Sequence, residues 1–154
     1  MLSMDYLAGF IDAEGCISSY IDKRSTSSSS GCVIVTLSIV STDKDIIQEI
    51  SDTVCLITNT TPRKILSKVG PNSWDNYERK IQYTYKMRAE ALRKILPILI
   101  PLLRLKKYQA STALELLRLT PTKAAGNNRA GIDRHLEERL ELANKISWAN
   151  QGYP

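Results

Sequence analysis

Hydrophobic and polar residues recur along this chain with two periods, one typical of helices and one typical of strands. Residues 4–14 place apolar side chains three and four positions apart, which predicts a helix. Residues 32–41 and 81–87 instead alternate apolar and polar positions, which predicts strands with one buried face. With capping and turn residues included, the pattern predicts helices at about 4–14, 44–54, 89–99, 106 or 107 to 119, and 133–149, and strands at about 16–23, 32–41, 62–69 and 77–88.

This order of elements, αββαββα followed by an extra helix, predicts an α+β fold. Four strands would form an antiparallel sheet, and the helices would pack on one of its faces. A Ser-rich loop at 24–31, a turn at 70–76 and a polar connector at 120–131 separate the elements. We expect a single domain over residues 1–154, with a motif helix at about 4–15 and a C-terminal helical tail at about 132–150.

The face of the sheet that the helices leave free would be polar and cationic. Long cationic and amide side chains suit contacts with DNA phosphates and base edges. A solvated outer face explains the pattern equally well. The candidate DNA-binding residues are Ser18, Tyr20, Asp22, Thr36, Ser38, Lys80, Gln82, Thr84 and Lys86, with Arg24, Arg63, Lys64 and Lys68 nearby.

Charge and cysteine content narrow the class of protein. Lys and Arg number 21 against 16 acidic residues, a net charge of +5, which fits a polyanionic partner although many other proteins are as basic. The three cysteines are odd in number and have no Cys-x-x-Cys spacing, which favours reduced intracellular thiols over disulfides or a zinc site. The longest apolar run, at 95–103, is interrupted by prolines and is too short to span a bilayer, so no membrane partner is expected.

Residues 7–15 read Leu-Ala-Gly-Phe-Ile-Asp-Ala-Glu-Gly. Ala8, Gly9, Asp12 and Ala13 form a strip of small residues along the predicted helix. Because glycine inside a helix costs about 1 kcal/mol relative to alanine, Gly9 fits a place where another backbone approaches closely.

The end of this helix carries an unfavourable charge. Glu14 would be the last helical side chain, where the helix dipole disfavours a carboxylate. Gly15 would end the helix, where glycine adopts a positive φ without strain. The position of Glu14 suggests an oxygen ligand for a hard cation such as Mg²⁺, although a core helix ending in a solvated glutamate has the same pattern.

The nonapeptide resembles the signature motif of the LAGLIDADG homing endonucleases. Residues 101–110, Pro-Leu-Leu-Arg-Leu-Lys-Lys-Tyr-Gln-Ala, resemble the segment that closes the catalytic pocket in this family. The resemblance implies that Lys106 is the active-site lysine, although a solvated basic cluster at a helix start would look similar. It also implies that Ser41 or Thr42 holds the attacking water at a position where some members have glutamine.

The resemblance implies a site-specific, intron-encoded DNA endonuclease that hydrolyses phosphodiester bonds at a long, roughly palindromic target. Mg²⁺ would be held by Glu14 and the backbone carbonyl of Ala13, and Mn²⁺ or Ca²⁺ would also fit the site. Because the motif occurs once, the resemblance implies a homodimer. Its interface would contain Leu7, Ala8, Gly9, Asp12 and Ala13.

Two alternatives share this fold. One is a maturase that binds its host intron RNA and assists splicing, and the other is a cleavage-inactive DNA-binding protein. The expected location is an organelle (mitochondrion or chloroplast) or the cytoplasm of a prokaryote.

Overall fold

The fold of the chain is given by a computed structural model that describes residues 1–22, 32–69, 80–120 and 135–152. Within these ranges the elements alternate as the sequence predicts. Their bounds are α1 Met4–Glu14, β1 Gly15–Asp22, β2 Cys32–Ser41, α2 Lys44–Thr58, β3 Leu66–Val69, β4 Ile81–Met87, α3 Ala89–Leu99, α4 Lys107–Leu119 and α5 Leu136–Asn150. The predicted loop at 24–31, the turn at 70–76 and most of the connector at 120–131 lie outside the described residues.

The four strands form one antiparallel sheet in the order β1-β2-β4-β3. In the register of the ladder, Ser18 faces Thr36 and Ser38 faces Lys86. The residues between them, such as Ile17 and Leu37, point to the opposite face and are buried. This alternation confirms the predicted α+β fold, and it leaves one face of the sheet as a polar surface.

The core lies between the inner face of the sheet and the helices. All five described helices contribute buried apolar residues to it, including Ile11, Ile50, Leu96, Leu116 and Ile146. None of the described helices is long and apolar enough to cross a membrane.

Helix α5 packs beside the edge strand β1. The Ser19 hydroxyl donates to the carbonyl of Ala143 at 3.0 Å, and the Asn150 side-chain amide donates to the carbonyl of Ile17 at 2.7 Å. Edge strands expose backbone groups that invite pairing with other chains, and a covering helix reduces that hazard. The C-terminal tail therefore supports the strand that begins the sheet.

Two cations of α3 hold the ends of the neighbouring helices. Arg93 donates to the carbonyls of Leu117 and Thr120 at the end of α4, and Lys94 donates to the carbonyl of Thr58 at the end of α2. The last carbonyls of a helix have no partner within the helix, so these bonds satisfy groups that would otherwise need water.

Helix α2 is longer than the sequence pattern predicts. The prediction ended it near residue 54, whereas it continues to Thr58. Buried Cys55 and Thr58 extend its packed face, and Asn59 then ends it in the left-handed conformation at φ 48°. An asparagine in that conformation is a known stop signal, which the apolar periodicity does not reveal.

Candidate active site and DNA-binding face

Helix α1 presents Glu14 at its C-terminal end. The N–H of Gly15 bonds to the carbonyl of Ile11 and closes the last turn. Gly15 has φ −77°, so the predicted positive φ is wrong. Glycine is needed for a different reason, because a Cβ atom at this position would lie 2.6 Å from the carbonyl oxygen of Ile11. The close turn leaves the Glu14 carboxylate exposed beside the start of β1.

Glu14 lines a pocket of about 520 Å³ at the end of β2. Ser41, Thr42 and Gln82 line it with hydroxyl and amide groups, and Phe10 and Val40 provide its apolar wall. Ser41 Oγ accepts the N–H of Asp43 at 3.1 Å, which fixes the end of the strand. The structure thus brings the predicted Glu14, Ser41 and Thr42 together, and it adds Gln82, which the sequence pattern assigned to DNA contact.

The segment around Lys106 is attached to the same helix end by Asp12. The Asp12 carboxylate accepts the N–H of Arg104 at 2.7 Å and the N–H of Lys106 at 2.9 Å. The Lys106 ammonium donates in turn to the backbone carbonyl of Asp12. Lys106 therefore lies at the C-terminal end of α1, the helix that presents Glu14.

These contacts also affect the acidity of Asp12. Burial alone would raise the pKa of its carboxyl. The backbone N–H groups of Arg104, Lys106 and Leu105 and the charge of Lys106 outweigh burial, so the pKa lies below its usual value. Asp12 is therefore an ionised acceptor in the neutral pH range.

The oxygen groups at this helix end fit a hard divalent cation. Glu14 supplies a carboxylate, and Ala13 lies in the last turn, where carbonyls lack partners within the helix. Carboxylate, carbonyl, hydroxyl and amide oxygens are the ligands that Mg²⁺ and Ca²⁺ prefer. No group of three or more acidic, histidine or cysteine side chains that could hold a metal ion exists among the described residues.

Most of the predicted DNA-binding residues share the outer face of the sheet or its margins. Ladder pairing puts Ser18 and Tyr20 of β1, Ser38 of β2, Thr84 and Lys86 of β4, and Lys68 of β3 on that face. The exposed Lys80, Arg63 and Lys64 lie just before the strands β4 and β3. Arg24 and the side chain of Asp22 lie outside the described residues.

Thr36 corrects the prediction for this face. Its side chain is on the outer side but is only 8% exposed, and its hydroxyl shares a hydrogen bond of 3.1 Å with that of Ser18. Its assignment as a direct DNA contact is therefore wrong. The face also includes the apolar Ile34, Val40 and Leu66, which the search for polar residues passed over although they occupy the same alternating positions.

A second pocket, of about 300 Å³, lies at the opposite end of β4 and is rich in cations. Arg63, Lys86 and Arg88 line it, together with Thr60 and Thr61. The sequence reasoning missed Arg88, although Arg88 follows the alternating strand directly at the start of α3. Glu90 also lines the recess, so its three cationic residues and one acidic residue leave it with an excess of positive charge.

The floor of this second pocket contains a buried tyrosine. The Tyr85 hydroxyl lies 4.0 Å from the thiol of Cys55. Burial raises the pKa of Tyr85, and the nearby Cys55 raises it further, while the charge of Arg63 opposes the change. The net effect is a phenol held in its neutral form.

The exposed face of α1 differs from the predicted interface. Leu7 and Ala8 are 0% and 1% exposed because they pack into the core of their own chain. Their assignment to a contact with a second copy is therefore wrong. Gly9 and Ala13 are exposed, and a Cβ atom added to Gly9 would meet nothing within 4 Å. Tyr6 is 48% exposed on the same side.

Comparison with known proteins gives a family match over most of the chain. A family model described as LAGLIDADG endonuclease matches residues 7–116. No match is found among curated proteins.

Solved structures share the fold. The homing endonuclease I-CvuI, in complex with I-CreI target DNA in the presence of Mg with the DNA not cleaved, is 24% identical, with a TM-score of 0.66 over 95% of this chain and 80% of that chain. The archaeal intron-encoded homing endonuclease I-Vdi141I, complexed with DNA, is 16% identical, with a TM-score of 0.63 over 95% of this chain and 82% of that chain. I-SmaMI, bound to uncleaved DNA in the presence of calcium ions, is 19% identical, with a TM-score of 0.63 over 95% of this chain but 45% of that chain.

Proposed function

This protein belongs to the LAGLIDADG endonuclease family, and we propose that it hydrolyses phosphodiester bonds of a specific double-stranded DNA site at the C-terminal end of α1. The observation that carries the proposal is the convergence of groups from distant segments at this helix end. Glu14 comes from α1, Ser41 and Thr42 from the end of β2, and Lys106 from the start of α4.

Each of these groups has a distinct task in the reaction. The Glu14 carboxylate and the Ala13 carbonyl would hold a divalent cation such as Mg²⁺. When bound, such a cation polarises the phosphate and lowers the pKa of an attacking water. The hydroxyls of Ser41 and Thr42 orient that water from the wall of the pocket. The Lys106 ammonium offsets negative charge that develops on the phosphate.

Gln82 adds a longer side chain to the groups that orient the attacking water. A serine or threonine hydroxyl lies close to its own backbone, whereas a glutamine amide reaches two bonds further and offers both a donor and an acceptor. Gln82 lines the same pocket as Glu14, and its side-chain amide has no hydrogen-bond partner among the described residues. Its amide therefore supplements the short hydroxyls at the end of β2.

The outer face of the sheet is the surface that binds DNA. A two-stranded ribbon fits the major groove, and exposed polar side chains on it contact base edges. Ser38, Thr84 and Lys86 provide such side chains, and Leu66 and Val40 suit contact with thymine methyl groups. The basic pocket at the far end of β4 binds the phosphate backbone.

A second copy of the chain completes the enzyme. Exposed Gly9 has open space where its Cβ would be, so nothing in the described part of its own chain explains a glycine there. Close approach of the same helix from a second copy does explain it, and a symmetric pair would present two Glu14 carboxylates. This chain also covers 45% of the longer I-SmaMI chain, as expected for half of a two-part molecule.

Gly9 gives a direct test of the dimer. Replacing Gly9 by alanine or leucine should stabilise the isolated helix by up to about 1 kcal/mol, because the new side chain meets open space. The same change should weaken association, which sedimentation velocity across a concentration series will measure. Ser147→Leu, an exposed position on α5, is the control. A chain that stays monomeric with and without DNA, or a Gly9→Leu variant that associates like wild type, would overturn the dimer.

The activity itself is tested with a plasmid library of fragments from the source genome. We expect linear product with Mg²⁺ and none with a chelator, and binding without cutting when Ca²⁺ replaces Mg²⁺. DNA retention without any cleavage in Mg²⁺ would instead identify a cleavage-inactive DNA-binding protein. Accelerated splicing of an intron RNA without DNA cleavage would identify a maturase.

A further inference from the structure

We propose that Asp12 is a positioning residue that fixes Lys106 at the end of the helix that presents Glu14. The inference rests on the proposed function, because it assigns to Asp12 a role that is exerted through Lys106. The resemblance to the family had implied a place for Asp12 in the dimer interface.

The contacts show how the carboxylate is used. One oxygen accepts the N–H of Arg104 at 2.7 Å, and the other accepts the N–H of Lys106 at 2.9 Å. Both partners belong to the same short segment, more than 90 positions along the chain. Two charge-assisted hydrogen bonds from one planar group fix the orientation of that segment as well as its distance.

The two elements cap each other. Helix α4 has no acidic residue in its first turn and no side-chain cap of its own, so the Asp12 carboxylate supplies the negative charge that its N-terminus favours. Helix α1 has no basic residue in its last turn, and the Lys106 ammonium supplies the positive charge that its C-terminus favours. Each helix thus stabilises the position of a functional group on the other.

The direction of the Asp12 side chain argues against a direct part in the reaction. Successive residues of an α-helix are about 100° apart, so the side chains of Asp12 and Glu14 leave α1 about 200° apart, on nearly opposite sides. Glu14 faces the pocket at the end of β2, whereas both oxygens of Asp12 are occupied by the segment before α4. Asp12 therefore acts on the reaction by holding Lys106.

The change Asp12→Asn is the sharpest test. The amide keeps the size of the side chain but offers one acceptor in place of two, and its NH₂ group would face a backbone N–H. Single-turnover cleavage should fall roughly 10- to 100-fold, a typical loss when a supporting partner of a functional group is removed. DNA affinity should stay within about twofold of wild type. Asp5→Asn, the same change on an exposed position of the same helix, is the matched control.

A double-mutant cycle with Lys106→Ala separates a role through Lys106 from a general loss of structure. If Asp12 acts through Lys106, Asp12→Asn should slow cleavage little further once Lys106 is alanine. Independent, multiplicative losses would overturn the proposal, as would wild-type cleavage by Asp12→Asn. A Lys106→Ala variant that cleaves normally would instead refute the assignment of Lys106 in the proposed function.

Folding is followed in parallel, so that an unstable variant does not obscure the result. Thermal unfolding and the amide NMR signals of Arg104 and Lys106 are recorded for Asp12→Asn and Asp12→Ala. Both signals should move upfield as the amides lose the carboxylate. Unchanged amide signals in a folded variant would contradict the capping contact itself.

Discussion

The two ends of β4 carry opposite chemistry. Near Gln82 the strand borders the pocket that contains Glu14 and polar oxygen groups. Near Lys86, about 13 Å further along the strand, it borders a recess that is lined by three cationic residues and one acidic residue. One strand therefore connects a site suited to a cation and water with a site suited to phosphate.

This difference separates bond cleavage from anchoring. A metal site needs acidic oxygens, and further cations beside it, in addition to Arg104 and Lys106, would oppose cation binding. A site that binds phosphate needs cationic side chains and few acidic ones. Because the two sites lie at opposite ends of β4, the cations of the recess do not oppose metal binding at Glu14. The strand also fixes the distance between the bond that is cleaved and the phosphate bound by the recess. The two ends should therefore respond differently to mutation.

The largest effect is expected at Glu14. Glu14→Gln keeps the shape of the side chain but removes the charge that holds the cation, so cleavage should fall roughly 10³-fold or more. Binding to the anchor does not need this charge, so DNA affinity in Ca²⁺-free buffer should remain. Cleavage rates and filter binding on one DNA target measure both. Undiminished cleavage would remove Glu14 from the active site.

The next effect concerns Gln82. Gln82→Ala should slow cleavage roughly 10- to 100-fold at saturating DNA, because the attacking water loses its amide partner. Thr42→Gln in the same chain should restore part of the rate, because Thr42 lines the same pocket. Gln151→Ala is the control for loss of an exposed amide. If Gln82→Ala alters target preference while the cleavage rate stays normal, Gln82 is a base-reading residue instead.

A smaller effect is expected at the cationic end. Replacing Arg63, Lys86 and Arg88 together by glutamine should weaken DNA binding roughly tenfold and reduce the slope of log affinity against log salt by roughly 3. The cleavage rate at saturating DNA should not change. Arg118→Gln on α4 controls for net charge. An unchanged salt slope would show that the recess does not contact phosphate.

The smallest effect lies beneath that recess, at Tyr85. Its raised pKa means that the folded chain keeps the phenol proton while the unfolded chain releases it above about pH 10. The stability from the neutral phenol is thus complete below that pH. It declines above it by at most about 1.4 kcal/mol per pH unit. Chemical denaturation from pH 8 to 11 should show a shallower alkaline decline for Tyr85→Phe, and equal declines would contradict the buried, neutral phenol.

Local patterns predicted the helices and strands well, because the periods of helices and strands can be recognised within short stretches of sequence. The bounds of α1 and β2 agree with the prediction. The side of α1 that faces the core was misjudged, since a helix with both an apolar stripe and a small-residue stripe does not reveal which one its own chain buries. Leu7 of the apolar stripe and Ala8 of the small-residue strip are both buried, whereas Gly9 of the small-residue strip is exposed.

Contacts between distant segments were beyond the reach of the sequence. Nothing near Asp12 points to Arg104 and Lys106, which fold against it from another element. The cationic recess likewise joins Arg63 from before β3 with Arg88 from after β4. Thr36 is a polar residue on the outer face of β2, but its neighbours in the fold bury it. The sequence of the strand alone does not reveal this burial.

The attachment of α5 to β1 has a consequence for how the protein is made. β1 carries Ser18 and Tyr20 of the DNA-binding face and leaves the ribosome well before α5. Its carbonyl at Ile17 is bound by Asn150, 133 residues later. Contacts this remote in sequence form late, because a long loop must close first. We therefore expect the DNA-binding face to reach its final structure only after residue 150 has left the ribosome. A chain that is still being synthesised would then bind DNA poorly.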